Sequence, residues 1–163
     1  MILVDNRQTL LDLPFSSLEK MIHGILDEWG IVGAQISLVF CDDHWIHNLN
    51  RRTFGRDRPT NVISFPQEAI VPGTDGKLIL PDYLTGQKEW PLGDVVVNVE
   101  RAISDAKEAE IDPLSEVAFL IIHGLCHLVG YDHEGDHAFM AEQMEAEERR
   151  LHEKFGPLLL SIT

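Results

Sequence analysis

The first long stretch of the chain carries apolar residues in the pattern of an amphipathic helix. Six of them follow it: Leu18, Met21, Ile22, Ile25, Leu26 and Trp29. Their spacing places them on one face of a helix. Ser16 and Glu19 have the spacing of a capping box, which predicts the start of this helix, and Gly30 is placed to end it.

Four shorter segments are rich in strand-forming residues and are bounded by turn signals. They are Ile2–Val4, Ala34–Phe40, Val62–Phe65 and Val95–Val97. Asp42 or Asp43 can cap a helix that runs to about Asn50. Another helix is predicted for residues 100–110. Residues 67–91 combine prolines, glycines and aspartates, so we expect an irregular segment there, of a length that is often functional.

The most apolar helix is predicted after Asp112, because Pro113 is allowed in the first turn of a helix. It carries large apolar residues at Val117, Leu120, Ile121 and Leu128. We therefore expect this helix to be largely buried and to carry the histidines at 123 and 127. Asp136 is expected to cap a last helix that runs through Phe155. The mixture of strands and helices predicts one domain over residues 1–163, of the α+β or α/β class, in which a short mixed sheet packs with about five helices.

The chain of 163 residues has a formal net charge of −14. A protein that coats nucleic acid regardless of sequence is normally basic, so the charge argues against that class. It does not exclude a local basic groove, because four arginines lie close together at Arg51, Arg52, Arg56 and Arg58. Residues 134–148 carry six acidic residues and no lysine or arginine. We interpret that run as a solvated face.

No apolar run reaches the roughly 18–20 residues that a membrane helix needs. The N-terminus lacks the basic and apolar regions of a secretory signal. The two cysteines, Cys41 and Cys126, are too few for a disulfide framework. A reduced, cytoplasmic setting without a membrane partner is therefore expected.

Three histidines, His123, His127 and His133, have the spacing of a metal site. The first two are four residues apart, which on a helix puts both imidazoles on one face. Gly130 can adopt the left-handed conformation that ends a helix, so the chain can turn back and bring in His133. Three nitrogen ligands with an open fourth position are typical of catalytic zinc. Nickel or cobalt could occupy the same ligands.

The histidine spacing resembles the long zinc motif of metzincin proteases, with one departure. In those proteins a glutamate that acts as general base follows the first histidine. Here Gly124 holds that place, so peptide hydrolysis by that mechanism is not expected. We interpret Gly124 as leaving room beside the metal, in which case alanine would be tolerated and would favour the helix.

Two further residues of this segment have open or structural interpretations. Asp132 either orients a metal ligand or belongs to the turn, and Cys126 is interpreted as a core residue.

The histidine segment belongs to a wider resemblance. Residues 123–133 read His-Gly-x-x-His-Leu-x-Gly-Tyr-Asp-His, and Asn50 with residues 57–66 and 92–96 match two further signatures. Together they resemble the YbeY family of bacterial rRNA-maturation endoribonucleases. The resemblance implies a small α+β domain and a three-histidine metal site. It also implies a role in 16S rRNA processing and ribosome quality control, with an rRNA precursor and the small ribosomal subunit as partners.

One position departs from the family pattern, which usually places an arginine two residues before the position of Arg56. Phe54 stands there, so either the cation beside the groove comes from elsewhere or its role is reduced in this chain. Arg56 is the first choice for a catalytic contact, because on an extended segment it projects to the same side. Arg52, also two residues away, and Ser64, in the strand expected to line the groove, are candidates for substrate binding.

Together with the predicted metal site, the resemblance implies a zinc-dependent single-strand endoribonuclease that acts on rRNA precursors. Arginines beside the metal would offset the charge that develops on the phosphoryl group. Two alternatives stay open. One is a metallohydrolase of another substrate class, such as a peptide, against which Gly124 weighs. The other is a non-enzymatic ribosome-assembly factor with structural zinc, which a fourth protein ligand would favour.

Overall fold

Six strands are present in the computed structural model, which describes residues 1–132 and 139–160. They are β1 (Ile2–Asn6), β2 (Ala34–Cys41), β3 (Val62–Pro66), β4 (Val71–Pro72), β5 (Leu78–Ile79) and β6 (Trp90–Asn98). The main sheet has the order β1-β2-β6-β3, in which β3 runs antiparallel to β6 and the other neighbours are parallel. β4 and β5 form a separate antiparallel pair, so the segment predicted to be irregular contains a small hairpin.

The described residues also form five α-helices. They are α1 (Phe15–Glu28), α2 (Asp43–Phe54), α3 (Val99–Ala109), α4 (Pro113–Leu128) and α5 (Ala141–Phe155). Two short 3-10 helices follow β5 and α5, at Asp82–Leu84 and Gly156–Leu159. The mixed sheet and the five helices confirm the predicted α+β class. None of the helices in the described ranges has the length and apolar character needed to cross a membrane.

Capping side chains explain where two of the helices begin. Asp42 accepts a hydrogen bond from the backbone N–H of Trp45 at 3.0 Å, and Asp112 accepts one from the N–H of Leu114 at 2.8 Å. Both bonds satisfy N–H groups that the first turn of a helix leaves without a helical partner. Pro113 occupies the first turn of α4, as predicted.

Two helix boundaries within the described residues differ from those predicted, whereas the predicted cap at Asp136 lies outside the described residues. α1 begins at Phe15 and has no side-chain cap, so the capping box predicted at Ser16 is wrong. The ring of Phe15 packs near that of Phe40 with centroids 6.4 Å apart, and this contact holds the first turn instead. α2 continues one turn beyond Asn50 and ends at Phe54, with Gly55 as its C-cap, because no glycine or proline interrupts it earlier.

α4 occupies the centre of the domain and contacts β3, β6, α3 and α5. Its buried residues include Val117, Ile121 and Leu128. A helix covered from several sides is apolar nearly all round, which confirms the prediction of a buried helix. The histidines that it carries, His123 and His127, are only partly buried.

Candidate functional site

Two histidines on α4 direct ring nitrogens at one another. The Nε2 atoms of His123 and His127 are 3.2 Å apart. Their rings are nearly perpendicular, with centroids 4.7 Å apart. Residues four apart on a helix are neighbours on its surface, so the helix itself brings the two imidazoles together, as the spacing predicts.

The opposite nitrogen of each ring is held by an acceptor. His123 Nδ1 lies 3.1 Å from Oε2 of Glu148 on α5, and His127 Nδ1 lies 3.0 Å from the backbone carbonyl oxygen of Tyr131. A carboxylate and a carbonyl accept hydrogen bonds without donating them, so both Nδ1 atoms carry a proton. In neutral histidines the two Nε2 lone pairs then face each other, and a cation between them relieves the repulsion.

The turn after α4 creates one of these acceptors. Gly130 has a φ of 102°, which other residues rarely adopt. A Cβ on Gly130 would also lie 2.1 Å from the carbonyl oxygen of Ile70. The N–H of Tyr131 donates to the carbonyl of Cys126 at 3.0 Å, and the reversed chain points the Tyr131 carbonyl at His127. The prediction that Gly130 ends this helix is confirmed.

The donor set fits a divalent metal ion. Two zinc–nitrogen bonds of about 2.0–2.1 Å at a tetrahedral angle separate the two nitrogens by about 3.3–3.4 Å. The 3.2 Å between the Nε2 atoms of His123 and His127 is close to that spacing. Histidines that bind metal commonly donate their other N–H to a carboxylate or carbonyl, which fixes the tautomer and orients the ring. Glu148 and the Tyr131 carbonyl have this relation to the pair.

His133 lies outside the described residues, so its role as a third ligand stays a prediction. Within residues 1–132 and 139–160, no group of three or more His, Cys, Asp or Glu side chains is arranged to hold a metal ion. Cys126 is fully buried, and burial raises the pKa of its thiol well above the ordinary value. A neutral buried thiol is a poor ligand, which agrees with the interpretation of Cys126 as a core residue.

A groove of about 470 Å³ opens beside His127. We call it the basic groove and define it by Phe54, Arg56, Arg58, Ser64, His127 and Asp132. Asp57, between the two arginines, lies with Oδ1 2.8 Å from His47 Nε2 and is not a lining residue. Positive charge is therefore concentrated here, although the chain as a whole is acidic.

Two buried asparagines hold the segment that carries these arginines. Nδ2 of Asn50 donates to the carbonyl of Arg58 at 2.9 Å, and Nδ2 of Asn98 donates to the carbonyl of Thr60 at 2.9 Å. The backbone N–H of Asn98 donates to the carbonyl of Asn61. Buried amides are costly unless they are hydrogen-bonded. These bonds fix the backbone of the segment while the arginine side chains stay exposed.

The two predicted substrate-binding residues have different surroundings. Ser64 lies on β3 and lines the basic groove, where its hydroxyl donates to the carbonyl oxygen of Gly124 at 3.1 Å. Arg52 lies on α2, where its Nε donates to the carbonyl of Asn48 at 3.3 Å, and it does not line the groove. The fold thus brings Ser64 beside the histidine pair and leaves Arg52 on the exposed surface of α2.

Gly124 makes room for the sheet. A Cβ at this position would lie 2.5 Å from Cγ1 of Val95 on β6 and 3.2 Å from Oγ of Ser64. Val95 is fully buried, and its β-branched side chain has little rotational freedom. The close approach of α4 to β6 therefore accounts for the glycine, and the interpretation that Gly124 leaves space beside the metal stays a prediction. Alanine at this position is expected to destabilise the fold.

A second cavity, of about 300 Å³, adjoins the other histidine. We call it the acidic cavity and define it by Phe119, His123, Met144, Glu145 and Glu148. The ring of Phe119 stacks on that of His123 with centroids 6.2 Å apart. The histidine pair thus stands between two spaces of opposite charge, with His127 facing one and His123 facing the other.

Two residues of the site were not singled out from the sequence. The interpretation of the acidic run as a solvated face is wrong for Glu148, which is 7% exposed and contacts His123. The sequence contains a signal for this, since Glu148 shares the buried side of α5 with Met144 and Leu151, and a carboxylate in an apolar stripe needs a partner.

Asn98 was missed as well. Its position before a helix predicts an N-cap, but its bond to the arginine segment is a tertiary contact.

Comparison with known proteins adds a family context. Residues 3–156 match a protein-family model described as Endoribonuclease YbeY. Endoribonuclease YbeY of Syntrophotalea carbinolica is 39% identical over 151 residues, which cover 93% of this chain and 93% of that protein. Endoribonuclease YbeY of Geobacter sulfurreducens is 38% identical over 148 residues, or 91% of each chain. The solution structure of TM1509 from Thermotoga maritima matches with a TM-score of 0.62 at 22% identity, over 95% of this chain and 89% of that one, so the fold is shared.

Proposed function

Since the chain belongs to the Endoribonuclease YbeY family, we propose that it is a metal-dependent endoribonuclease that cleaves single-stranded regions of rRNA precursors. Its proposed role is 16S rRNA maturation and ribosome quality control in the cytoplasm, with the small ribosomal subunit as partner. Zinc is the proposed metal, and nickel or cobalt would suit the same nitrogen ligands. Family membership supports the reaction class, which is hydrolysis of RNA.

The observation that carries this proposal is the histidine pair at the end of the basic groove. Nε2 of His123 and Nε2 of His127 are 3.2 Å apart, and the Nδ1 atom of each ring is held by an acceptor. The tautomers are therefore set for metal binding, and His133 is the proposed third ligand. The metal would lower the pKa of a bound water and polarise a phosphate oxygen.

The residues around the pair have distinct proposed roles. Glu148 and the Tyr131 carbonyl orient the two ligating rings. Arg56 is proposed to offset the charge that develops on the phosphoryl group. The Ser64 hydroxyl donates a hydrogen bond to the carbonyl oxygen of Gly124. The Ser64 oxygen can therefore still accept a hydrogen bond from a ribose 2′-hydroxyl.

The groove also bears on the rival functions. Two arginines beside the histidine pair suit a polyanionic substrate better than a peptide. Gly124 leaves no carboxylate at the position of a metzincin general base. The arrangement therefore favours a nuclease over a peptidase.

The test is cleavage of a labelled 16S rRNA precursor by purified protein, with a chelator and after zinc is restored. We expect the chelator to abolish cleavage and zinc to return it. His127→Ala should be inactive in both conditions, and Tyr83→Ala, an exposed change outside the groove, should cleave like the parent protein. Binding to the small subunit without cleavage under any metal condition would favour the assembly-factor alternative. Equal cleavage by His127→Ala would show that the histidine pair is not the active centre.

A further inference from the structure

An exposed phenylalanine lies at the lip of the basic groove. Phe54 is the last residue of α2, lines the groove together with His127, and is 49% exposed. Its ring lies nearly parallel to that of Phe65 in an offset stack, with centroids 6.0 Å apart and planes only 9° from parallel. The guanidinium carbon of Arg56 lies over the ring at 5.9 Å from its centroid. The ring thus contacts one residue of the sheet, Phe65, and one exposed side chain, Arg56.

The support behind Phe54 is rigid. Phe65 lies on β3 and packs against a small buried cluster formed by Cys41, Ile46, Ile63 and Val96. Phe54 itself is fixed at the end of a helix. A ring that is stacked on a strand residue and tethered to a helix keeps its orientation, which is the property of a stacking platform.

We propose that Phe54 binds one nucleobase of the single-stranded RNA by stacking, on the ring face that Arg56 covers in the free protein. The base displaces the Arg56 guanidinium, which then turns to the phosphates of the same strand. Phe54 is thereby a positioning residue that fixes the register of the strand relative to the histidine pair. This inference rests on the proposed function, because it assumes that single-stranded RNA occupies the groove.

The physical balance favours the exchange. A guanidinium 5.9 Å from the ring centroid is at the outer limit of about 6 Å for a cation–π contact, and exposed contacts of this kind are weak. Base–aromatic stacking changes affinity by about 5- to 150-fold per base when the aromatic residue is removed. A base therefore gains more on this ring than the arginine loses. The released arginine keeps a favourable partner in the phosphate.

The surroundings match a nucleic acid as the occupant. Arg56 and Arg58 line the same groove as the ring, and alternating aromatic and cationic groups suit a single strand that carries bases and phosphates. An aromatic residue that served only core packing would be buried, whereas half of Phe54 is accessible.

The test measures binding in a chelator, so that no cleavage is needed. A short single-stranded oligoribonucleotide is prepared in versions that each lack one base, and affinities are measured by fluorescence anisotropy. We expect one abasic position to weaken binding to the parent protein. Phe54→Ala should weaken binding of the intact strand by about 5- to 150-fold, and the penalty of that abasic position should disappear. Phe54→Trp should restore both, while Phe54→Leu, which keeps apolar contact with Phe65, should not.

Tyr83→Ala provides the matched control, since Tyr83 is 61% exposed and lies outside the groove. Thermal melts establish that each variant is folded. Parent-like binding by Phe54→Leu, or a loss in Phe54→Ala that is equal for intact and abasic strands, would overturn the stacking role. Absence of RNA cleavage by the metal-loaded parent protein would instead overturn the proposed function. The binding penalties of the abasic strands are measured without cleavage and so test the stacking role separately.

Discussion

The basic groove and the acidic cavity meet at the same histidine pair but offer a nucleic acid opposite environments. In the groove Arg56 and Arg58 are exposed next to His127. In the cavity Glu145 is exposed and pairs with Arg149 at 3.2 Å, and Glu148 contacts His123. The carboxylate that is buried serves a histidine ring, whereas the arginines are left accessible for a substrate.

This difference explains how a chain with a net charge of −14 can accept RNA. The electrostatic potential at a phosphate depends mainly on the charges nearest to it. At moderate salt, exposed charges more than about 10 Å away are largely screened. We therefore expect a strand to approach the histidine pair along the groove and not through the cavity. Charge location matters here more than charge sum.

The largest expected effect is loss of the metal. His123→Ala and His127→Ala each remove one Nε2 from the pair, so each protein should lose most of its bound zinc, measured by elemental analysis after purification. His44→Ala, on the exposed surface of α2, should retain it. Full occupancy in either pair variant would remove that histidine from the metal centre.

The next effect separates the arginines. Arg56→Ala should lower the rate of the cleavage step at saturating RNA by about 10²–10³-fold, if it stabilises developing charge, while binding changes little. Arg51→Ala, Arg52→Ala and Arg58→Ala should weaken binding slightly and flatten its salt dependence. Single-turnover kinetics make the distinction. Four small and equal effects would refute the assignment of Arg56.

On the acidic side, Glu148→Gln should lower zinc affinity by about 10–100-fold, as is usual when a carboxylate that orients a ligating histidine is changed. Glu145→Gln makes the same change of charge on the same helix and should leave zinc affinity nearly unaltered. Competition with a chromophoric chelator measures both. An equal loss of zinc affinity in the two variants would mean that Glu148 acts through its negative charge and not through its contact with His123.

The packing of α4 on β6 is tested with Gly124→Ala. Overpacking against Val95 should cost about 1–3 kcal/mol, against a gain of about 1 kcal/mol in helix propensity, so we expect a lower melting temperature. In the double variant with Val95→Ala, the cost of the alanine should shrink, since the two sites are in contact. A higher melting temperature for Gly124→Ala alone would contradict the close packing of α4 on β6.

The smallest expected effect comes from the exposed charges of the basic groove and the acidic cavity. Arg58→Gln should weaken RNA binding and Glu145→Gln should strengthen it slightly, by less than about threefold, because exposed charges interact weakly. Anisotropy titrations in a chelator at two salt concentrations measure both. If RNA affinity changed in the same direction in the two variants, the groove and the cavity would not differ in their effect on RNA.

Local patterns in the sequence determined the elements and the histidine pair. The cap at Asp112, the apolar run after it and the spacing of His123 and His127 depend on residues within about one or two turns of each other. Gly130 is similar, because a positive φ at the end of a helix is a local requirement. These features could be predicted because their physical causes lie along the chain.

Only the tertiary structure decided which residues from other segments complete the site. Glu148 joins His123 from another helix, Asn98 holds the arginine segment across the sheet, and the reason for Gly124 is the side chain of Val95. Pattern and propensity describe one segment at a time, whereas these contacts arise from the packing of α4 against β6 and α5. The same is true of Phe54, whose place on Phe65 could not be foreseen from a helix end and a strand 11 residues apart along the chain.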